Sequence, residues 1–284
     1  MKIRIFSNFC DSKHAHNVIE RIFESKYFSS FGKEFSFTNE DDYTHVIIYN
    51  TAMPKIDIPK ERVIGFAFEP PAYLGLTEFF IEYAKIYIGK YFIGDKYKYN
   101  LPKPFLEHYA FMWHCTPLTY IPVKNKKMSI MISQKKCAPG HIYRHELVDA
   151  ILKTDLPIDI YGYGCSLYNN YSDVRIKGIF EEHEPYENYE FHIAIENYQC
   201  NHYFSEKIVN PLLCSTTPIY LGCKNIDQYF PETILSLSGI VDEDMILLED
   251  ILLNSSLYIK NIDISFIKQK TNLLLNLNDL FMEI

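Results

Sequence analysis

The sequence predicts an α/β protein made of two doubly wound halves, and three observations carry that expectation. Short, unbroken apolar runs such as residues 45–49 (HVIIY) recur along the chain, and unbroken rather than alternating apolarity marks strands covered on both faces of a parallel sheet. These runs alternate with amphipathic stretches of helical period, the pattern of βαβ units. A polar segment, residues 123–127 (VKNKK), follows Pro122 and precedes a fresh apolar run, which places a boundary between domains 1–125 and 126–284. With 284 residues in all, each half is long enough to bury a core of its own.

In the first half, residues 3–6 predict the opening strand and residues 14–28 an amphipathic helix with the pairs Val18, Ile22 and Ile19, Phe23 at helical spacing. Residues 45–49 and 63–68 are the next strands. The second of these stops at Glu69-Pro70-Pro71, because proline cannot continue a sheet ladder, and Glu69 is left at the carboxyl edge. Residues 76–83 predict a helix. Residues 85–88 and 92–93 predict short strands that lead into a segment punctuated by Pro102, Pro104, Pro117 and Pro122.

The second half opens with a strand at 128–132, a loop (SQKKCAPG), a helix over about 141–153 and a strand at 158–161 closed by Gly162 and Gly164. Pro185 predicts a short helix, PYENYEF. Residues 192–195 form an apolar strand that ends in Glu196-Asn197. Ser205 then stands where a helix N-cap belongs, with Glu206 and Lys207 in the first turn and Ile208, Val209, Leu212 and Leu213 on one face. Residues 218–221 are the following strand. An acidic helix over 243–253 and a leucine-rich helix over about 263–281 complete the chain.

The composition excludes several classes. A net charge of -8, from 28 basic and 36 acidic residues, gives no cationic face for nucleic acid or an anionic membrane, so an anionic ligand has to be held by a few placed cations. The chain is rich in aromatics, with 23 Tyr and 20 Phe; these suit the faces of sugars, although most belong to the core. Seven dispersed cysteines without a CxxC suggest neither a disulfide framework nor a zinc site and fit a reducing cytoplasm. The apolar run before Asp11 is too short for a signal peptide, and no run is long enough for a transmembrane segment, so a soluble cytoplasmic protein is expected. Gly162-Tyr163-Gly164 is too short for a dinucleotide fingerprint and no GxxxxGK[ST] occurs. Asp242-Glu243-Asp244 is formally a D-x-D but reads as the acidic start of a helix, where carboxylates favour the positive dipole end. His141 and His145 lie four apart with no third ligand spaced to complete a zinc site, and are expected on a helix surface.

Residues 191–222 carry the chemistry. A β-loop-α-β unit places ligands beyond the carboxyl ends of its strands, where a helix N-terminus can hold an anion. Lys207 adds a positive charge there, and Glu206 can accept two hydrogen bonds from a vicinal diol. A diol beside a diphosphate describes a nucleotide-sugar.

This stretch, FHIAIENYQCNHYFSEKIVNPLLCSTTPIYLG, resembles the donor-binding motif of family 10 glycosyltransferases, the α1,3/4-fucosyltransferases. That motif is a strand ending in Glu-Asn, a Tyr two before a Ser/Thr-Glu-Lys triplet, and a Pro-rich strand ending in Gly; Asn197, Tyr203, Ser205, Glu206, Lys207, Pro218 and Gly222 fall in place. GFAFEPP resembles the family's acceptor-domain motif, in which the Glu is the proposed base, with Pro70 standing where the family has Ser. ISQKKCAPGHIYRHEL is similar to the family's strand, loop and helix bearing a diphosphate-contacting Arg, here Arg144. The resemblance implies a GT-B fold of two Rossmann-like domains facing a cleft, with 1–125 binding the acceptor and 126–284 the donor. It further implies inverting transfer of L-fucose from GDP-fucose to a glycan hydroxyl, with Glu69 as base and Arg144, Asn197, Tyr203, Ser205, Glu206 and Lys207 binding the donor, and with no metal or other cofactor. Seated between Phe68 and two prolines, the Glu69 carboxyl is expected to be partly desolvated, which raises its pKa toward the working range of a base. Three other readings stay open: a transferase of this fold that uses another nucleotide-sugar, a non-catalytic nucleotide- or glycan-binding protein, and a structural partner in a glycan-assembly complex.

Overall fold

A computed structural model describes residues 1–30 and 35–282. The chain divides into two compact units, one of Met1–Thr116, Cys200–Ser205 and Thr271–Ile284, the other of Pro117–Gln199 and Glu206–Lys270.

The first unit contains β1 (Lys2–Ser7), α1 (Ser12–Ser30), β2 (Ser36–Phe37), β3 (His45–Tyr49), β4 (Val63–Phe66), α2 (Glu78–Tyr87), β5 (Lys90–Ile93) and β6 (Phe105–Glu107). Among the described residues these strands form one six-stranded sheet, ordered β2-β1-β3-β4-β5-β6 and parallel at every pairing. Val46 to Tyr49 are all buried, so the unbroken run does mark a strand covered on both faces. Val46, Ile48 and Val63 pack with Phe80 and Ala84 of α2 and with Tyr91. The helix starts at an N-cap, Thr77, whose hydroxyl accepts from the Phe80 N–H at 3.2 Å. It runs to Tyr87, so residues 85–87 are helical rather than extended: Phe80 and Ala84, four apart, keep one face against the sheet through the last turn. Strand β4 ends at Phe66, two residues sooner than the apolar run suggests, because Asn50 intervenes. Its N–H donates to the Phe66 carbonyl at 2.9 Å and its side-chain oxygen accepts from the Phe68 N–H at 2.8 Å, in place of a strand partner.

The second unit contains β7 (Lys126–Met131), α3 (Pro139–Ile151), β8 (Ile158–Tyr161), β9 (Ile176–Gly178), β10 (Tyr189–Ile195), α4 (Glu206–Leu213), β11 (Thr217–Leu221), β12 (Leu235–Ser236), α5 (Val241–Leu253), α6 (Ser255–Tyr258) and α7 (Ile264–Thr271). Its six-stranded sheet is ordered β12-β11-β10-β7-β8-β9, again parallel throughout. PYENYEF is not a helix: the Tyr186 and Glu187 N–H groups both return to the His183 carbonyl at 2.9 Å, a single turn that is not propagated, and from Tyr189 the chain pairs with β7 as β10. The leucine-rich stretch is two helices. Asn272 interrupts it, its side-chain oxygen accepting the N–H groups of Leu274 and Leu275 at 2.9 and 3.2 Å, an N-cap for α8 (Leu273–Met282). Helix α8 packs on the first unit, where Phe281 meets His45 at 4.9 Å and the Lys90 ammonium donates to the Leu280 carbonyl. Among the described residues no helix is long and apolar enough to cross a membrane.

On β10, His192 is buried with its Nδ1 2.8 Å from the Ser129 hydroxyl, which itself donates to the Pro185 carbonyl. Burial pushes the imidazole pKa down to about 3 from 6.5. Below the ordinary value the unfolded chain binds a proton that the folded chain refuses, so stability is lost as pH falls from 6.5 toward about 3. Urea unfolding at about pH 7.5 and about pH 5 is expected to show His192 costing about 2 kcal/mol at the lower pH, with a smaller loss in His192→Phe.

Candidate active site

In the second unit the site is built where the start of α3 meets the ends of β10 and β11. Pro139 opens the helix at a position whose N–H would have no partner within it. Gly140 follows, and its N–H donates to the Asn197 carbonyl at 3.0 Å. A Cβ there would lie 1.8 Å from the Glu196 carbonyl oxygen, so the helix and the strand end touch backbone to backbone. Gly222 does the same for the Glu196 side chain: a Cβ would stand 2.4 Å from both Glu196 Cγ and Tyr220 Oη. These close approaches hold the buried Glu196 in a cavity of about 430 Å³ whose walls include Pro139, Gly140, Tyr143, Tyr198 and Leu221. That size lies within the range of small-molecule sites, and its place beyond the carboxyl ends of β10 and β11 is where open α/β sheets hold ligands.

Arg144 and Lys207 bring positive charge to the strand ends, and Lys224 lines the cavity wall. Arg144 is buried; its Nε donates to the Gly140 carbonyl at 3.1 Å and its Nη2 to the Asn197 side-chain oxygen. The Lys207 ammonium lies 2.8 Å from Glu206 Oε1 and 3.8 Å from Glu196 Oε2. Burial alone would lower the Lys207 pKa, but the two carboxylates outweigh it and the value is raised, so the side chain is charged. His141 reports the local field. Burial, then the charges of Arg144, Lys135 and Lys207, push its pKa down to about 4. Burial is the larger cause and would disfavour any charge, but the part that comes from the three cations is a field that favours an anion.

The two histidines of α3 are not on its surface as expected. His141 faces the Cys137 sulfur at 3.6 Å, and His145 lies 2.9 Å from both Tyr168 Oη and the Ser133 carbonyl. Both are buried because α3 is covered around most of its circumference, by the sheet, by α5 and by the turn at 163–168. Asp242 to Asp244 are the first turn of α5, as the sequence suggests. Asp244 accepts from the N–H groups of Ser238 and Gly239 at 2.7 and 3.0 Å and from the Tyr143 hydroxyl, which braces two walls of the cavity.

Of the residues singled out from sequence, Arg144, Asn197, Glu206 and Lys207 are drawn together in this unit. Tyr203 and Ser205 are buried in the segment 200–205, which packs with the first unit: Asn201 donates twice to the Asp95 carboxylate, at 2.9 and 3.0 Å, and Phe204 stacks on Tyr109 at 4.9 Å. Ser205 immediately precedes the first residue of α4. Glu69 also lies in the first unit, half-buried, three residues beyond β4 on the stretch pinned by Asn50. Sequence reasoning overlooked Gly140, Tyr143 and the wall residue Tyr198. The Pro139-Gly140 pair at a helix start was the available signal for the first.

Residues 121–235 match the family model described as glycosyltransferase family 10 (fucosyltransferase), C-terminal. The family 10 resemblance therefore holds over the candidate donor residues. That region includes Arg144, Asn197, Tyr203, Ser205, Glu206 and Lys207, and its coarse reading is a fucosyltransferase-like glycosyltransferase domain. A fucosyltransferase-like protein of Arabidopsis thaliana is 29% identical over 89 residues, 31% of this chain and 16% of that protein, so the match spans a small part of the relative's length. The crystal structure of an α1,3-fucosyltransferase with GDP aligns over 100% of this chain and 90% of its own, with a TM-score of 0.58 and 11% identity. Anabaena HepE in complex with UDP aligns over 98% of each chain, with a TM-score of 0.62 and 8% identity. At these identities the structures establish the fold: two parallel-sheet α/β units of the GT-B type.

Proposed function

We propose that the chain is an inverting glycosyltransferase that moves L-fucose from GDP-fucose to a hydroxyl of a glycan, without a metal. The observation that carries this is the pairing of Arg144 with Asn197 and of Lys207 with Glu206 and Glu196, beside a ligand-sized cavity and inside the family 10 region. Lys207 and Glu206 neutralise one another in the absence of ligand. A nucleotide diphosphate would exchange that contact for two better ones, the ammonium turning to phosphate and the carboxylate to the ribose diol. Arg144 offers a guanidinium fork to the same phosphates, and Asn197, Tyr203 and Ser205 complete the donor-binding set.

In the reaction the acceptor oxygen bonds to C1 as the bond from C1 to the GDP oxygen breaks, with inversion. Glu69 takes the hydroxyl proton, and GDP leaves with the electron pair of the broken bond. The transition state has oxocarbenium character, so stabilising the departing diphosphate is the larger task. Fixed cations and helix N-termini do this at a few kcal/mol per donor, roughly the value of an oxyanion-hole contact. Crystallisation of structures of this fold with GDP and with UDP supports a nucleoside diphosphate as the ligand class. A transferase using a uridine nucleotide-sugar is the second reading, favoured by the closer fold match to the UDP complex. A reducing cytoplasm suits the seven dispersed cysteines.

Incubation with GDP-fucose and with UDP-sugars in EDTA, with and without a glycan library, tests this reading. GDP release that depends on both GDP-fucose and a glycan is expected. Consumption of a UDP-sugar instead would transfer the assignment to the second reading, and no turnover of any nucleotide-sugar would leave a binding protein.

A further inference from the structure

In the first unit, four aromatic rings converge at the carboxyl edge of the sheet. Phe9 follows β1, Tyr49 ends β3, Phe68 lies just beyond β4, and Trp113 comes from the segment after β6. Every pair among them is in contact: Tyr49 and Phe68 at 4.4 Å, Phe9 and Trp113 at 5.6 Å, Phe68 and Trp113 at 5.7 Å, Phe9 and Phe68 at 5.9 Å, Tyr49 and Trp113 at 5.9 Å, Phe9 and Tyr49 at 6.4 Å. Tyr49 is the fully buried floor and Phe9 the roof, 47% exposed. A phenyl ring that needed only burial would be turned under the cluster. Phe9 instead is held on top of it, with its backbone N–H fixed to the Ser7 hydroxyl at 3.2 Å.

The surroundings narrow the ligand. Phe68 is followed directly by Glu69, and the cluster is rimmed by the hydrogen-bonded pair Asn8 and Thr51, at 2.9 Å, and by His14 against Trp113 at 5.9 Å. The exposed ring of Phe9 over partly covered Phe68 and Trp113, with Glu69 next in the chain and short polar side chains at the rim, complements a pyranose ring, whose C–H face lies on the aromatics while its hydroxyls turn to the polar rim. We infer that Phe9, with Phe68 and Trp113 beneath it, is the platform on which a pyranose ring of the glycan acceptor stacks, presenting its hydroxyl to Glu69. This rests on the transferase reading for the role of Glu69, but the stacking itself does not require transfer.

Trp113 is the one tryptophan of the chain, so emission excited at the red edge of the tryptophan band, where the 23 tyrosines absorb little, reports on this cluster. The full chain is titrated with lactose, cellobiose and chitobiose, β-linked disaccharides with an exposed C–H face, and with sorbitol as an open-chain control, with and without GDP. A saturable emission change with at least one disaccharide and none with sorbitol is expected. In Phe9→Ala the apparent affinity should fall by about 10-fold, with Phe9→Tyr restoring it and both variants keeping wild-type melting temperature and GDP affinity. No response to any disaccharide, or wild-type binding by Phe9→Ala, overturns the inference. Emission changes without turnover would uphold the platform while removing the transferase reading. Turnover with an unchanged acceptor KM in Phe9→Ala would remove the platform and leave that reading standing.

Discussion

Glu69→Gln is expected to slow sugar transfer by about 100-fold or more while GDP affinity and melting temperature stay at wild-type values. Glutamine keeps the shape of the side chain and one acceptor oxygen but cannot take a proton. The backbone on either side of residue 69 has anchors of its own: Asn50 holds the Phe68 N–H, and the Pro70 carbonyl accepts from the N–H groups of Tyr73 and Leu74 at 2.8 and 3.0 Å. The substitution therefore removes chemistry and leaves the turn intact. A carboxylate with a structural role would behave in the opposite way, lowering the melting temperature and reducing transfer only in proportion to lost fold. Transfer near the wild-type rate would remove Glu69 from the mechanism and direct attention to other carboxylates of the first unit.

Gly140→Ala should disturb the donor side through the backbone rather than through a lost charge. One methyl group would stand 1.8 Å from the Glu196 carbonyl oxygen and within 3.1 Å of the Asn197 carbonyl carbon, and both are backbone atoms that cannot rotate away. Helix α3 has to slide or tilt, at a cost of about 1–3 kcal/mol, the usual penalty for forcing extra volume into a packed contact. Arg144 moves with the helix, and the hydrogen bonds to Asn197 from Gly140 and Arg144 are strained together. Lower melting temperature and at least 10-fold weaker GDP binding, roughly 1.4 kcal/mol, are expected together. Wild-type affinity in this variant would mean that the α3 terminus takes no part in the site.

Much of this was legible in the sequence, and the reason is local. Parallel strands buried on both faces read as unbroken apolar runs, so HVIIY and FHIAI announced β3 and β10, and the Ser-Glu-Lys step announced the start of α4. What was not legible depended on partners distant in the chain. Nothing local to GFAF shows that Asn50 will end β4 at Phe66. PYENYEF has helical spacing, yet Tyr189 is claimed by the sheet, where it pairs with Lys126. The leucine-rich tail keeps one period across two helices because leucines face inward in both; only Asn272, a residue that competes for backbone N–H groups, carried the break. His141 and His145 were assigned to a surface because the count of neighbours around α3 is a tertiary property. The donor motif itself was read as one stretch, whereas its residues 200–205 pack with the first unit and its flanks with the second.

The central claim is a diphosphate site made of protein cations, and calorimetry of GDP binding in EDTA, with wild type beside Lys207→Ala, tests it most directly. Binding that persists in the chelator and weakens by about 1.5–3 kcal/mol in the variant, the range for a charge-assisted hydrogen bond, is the expected result. Binding that vanishes with the chelator, or that is equally strong without Lys207, would contradict it.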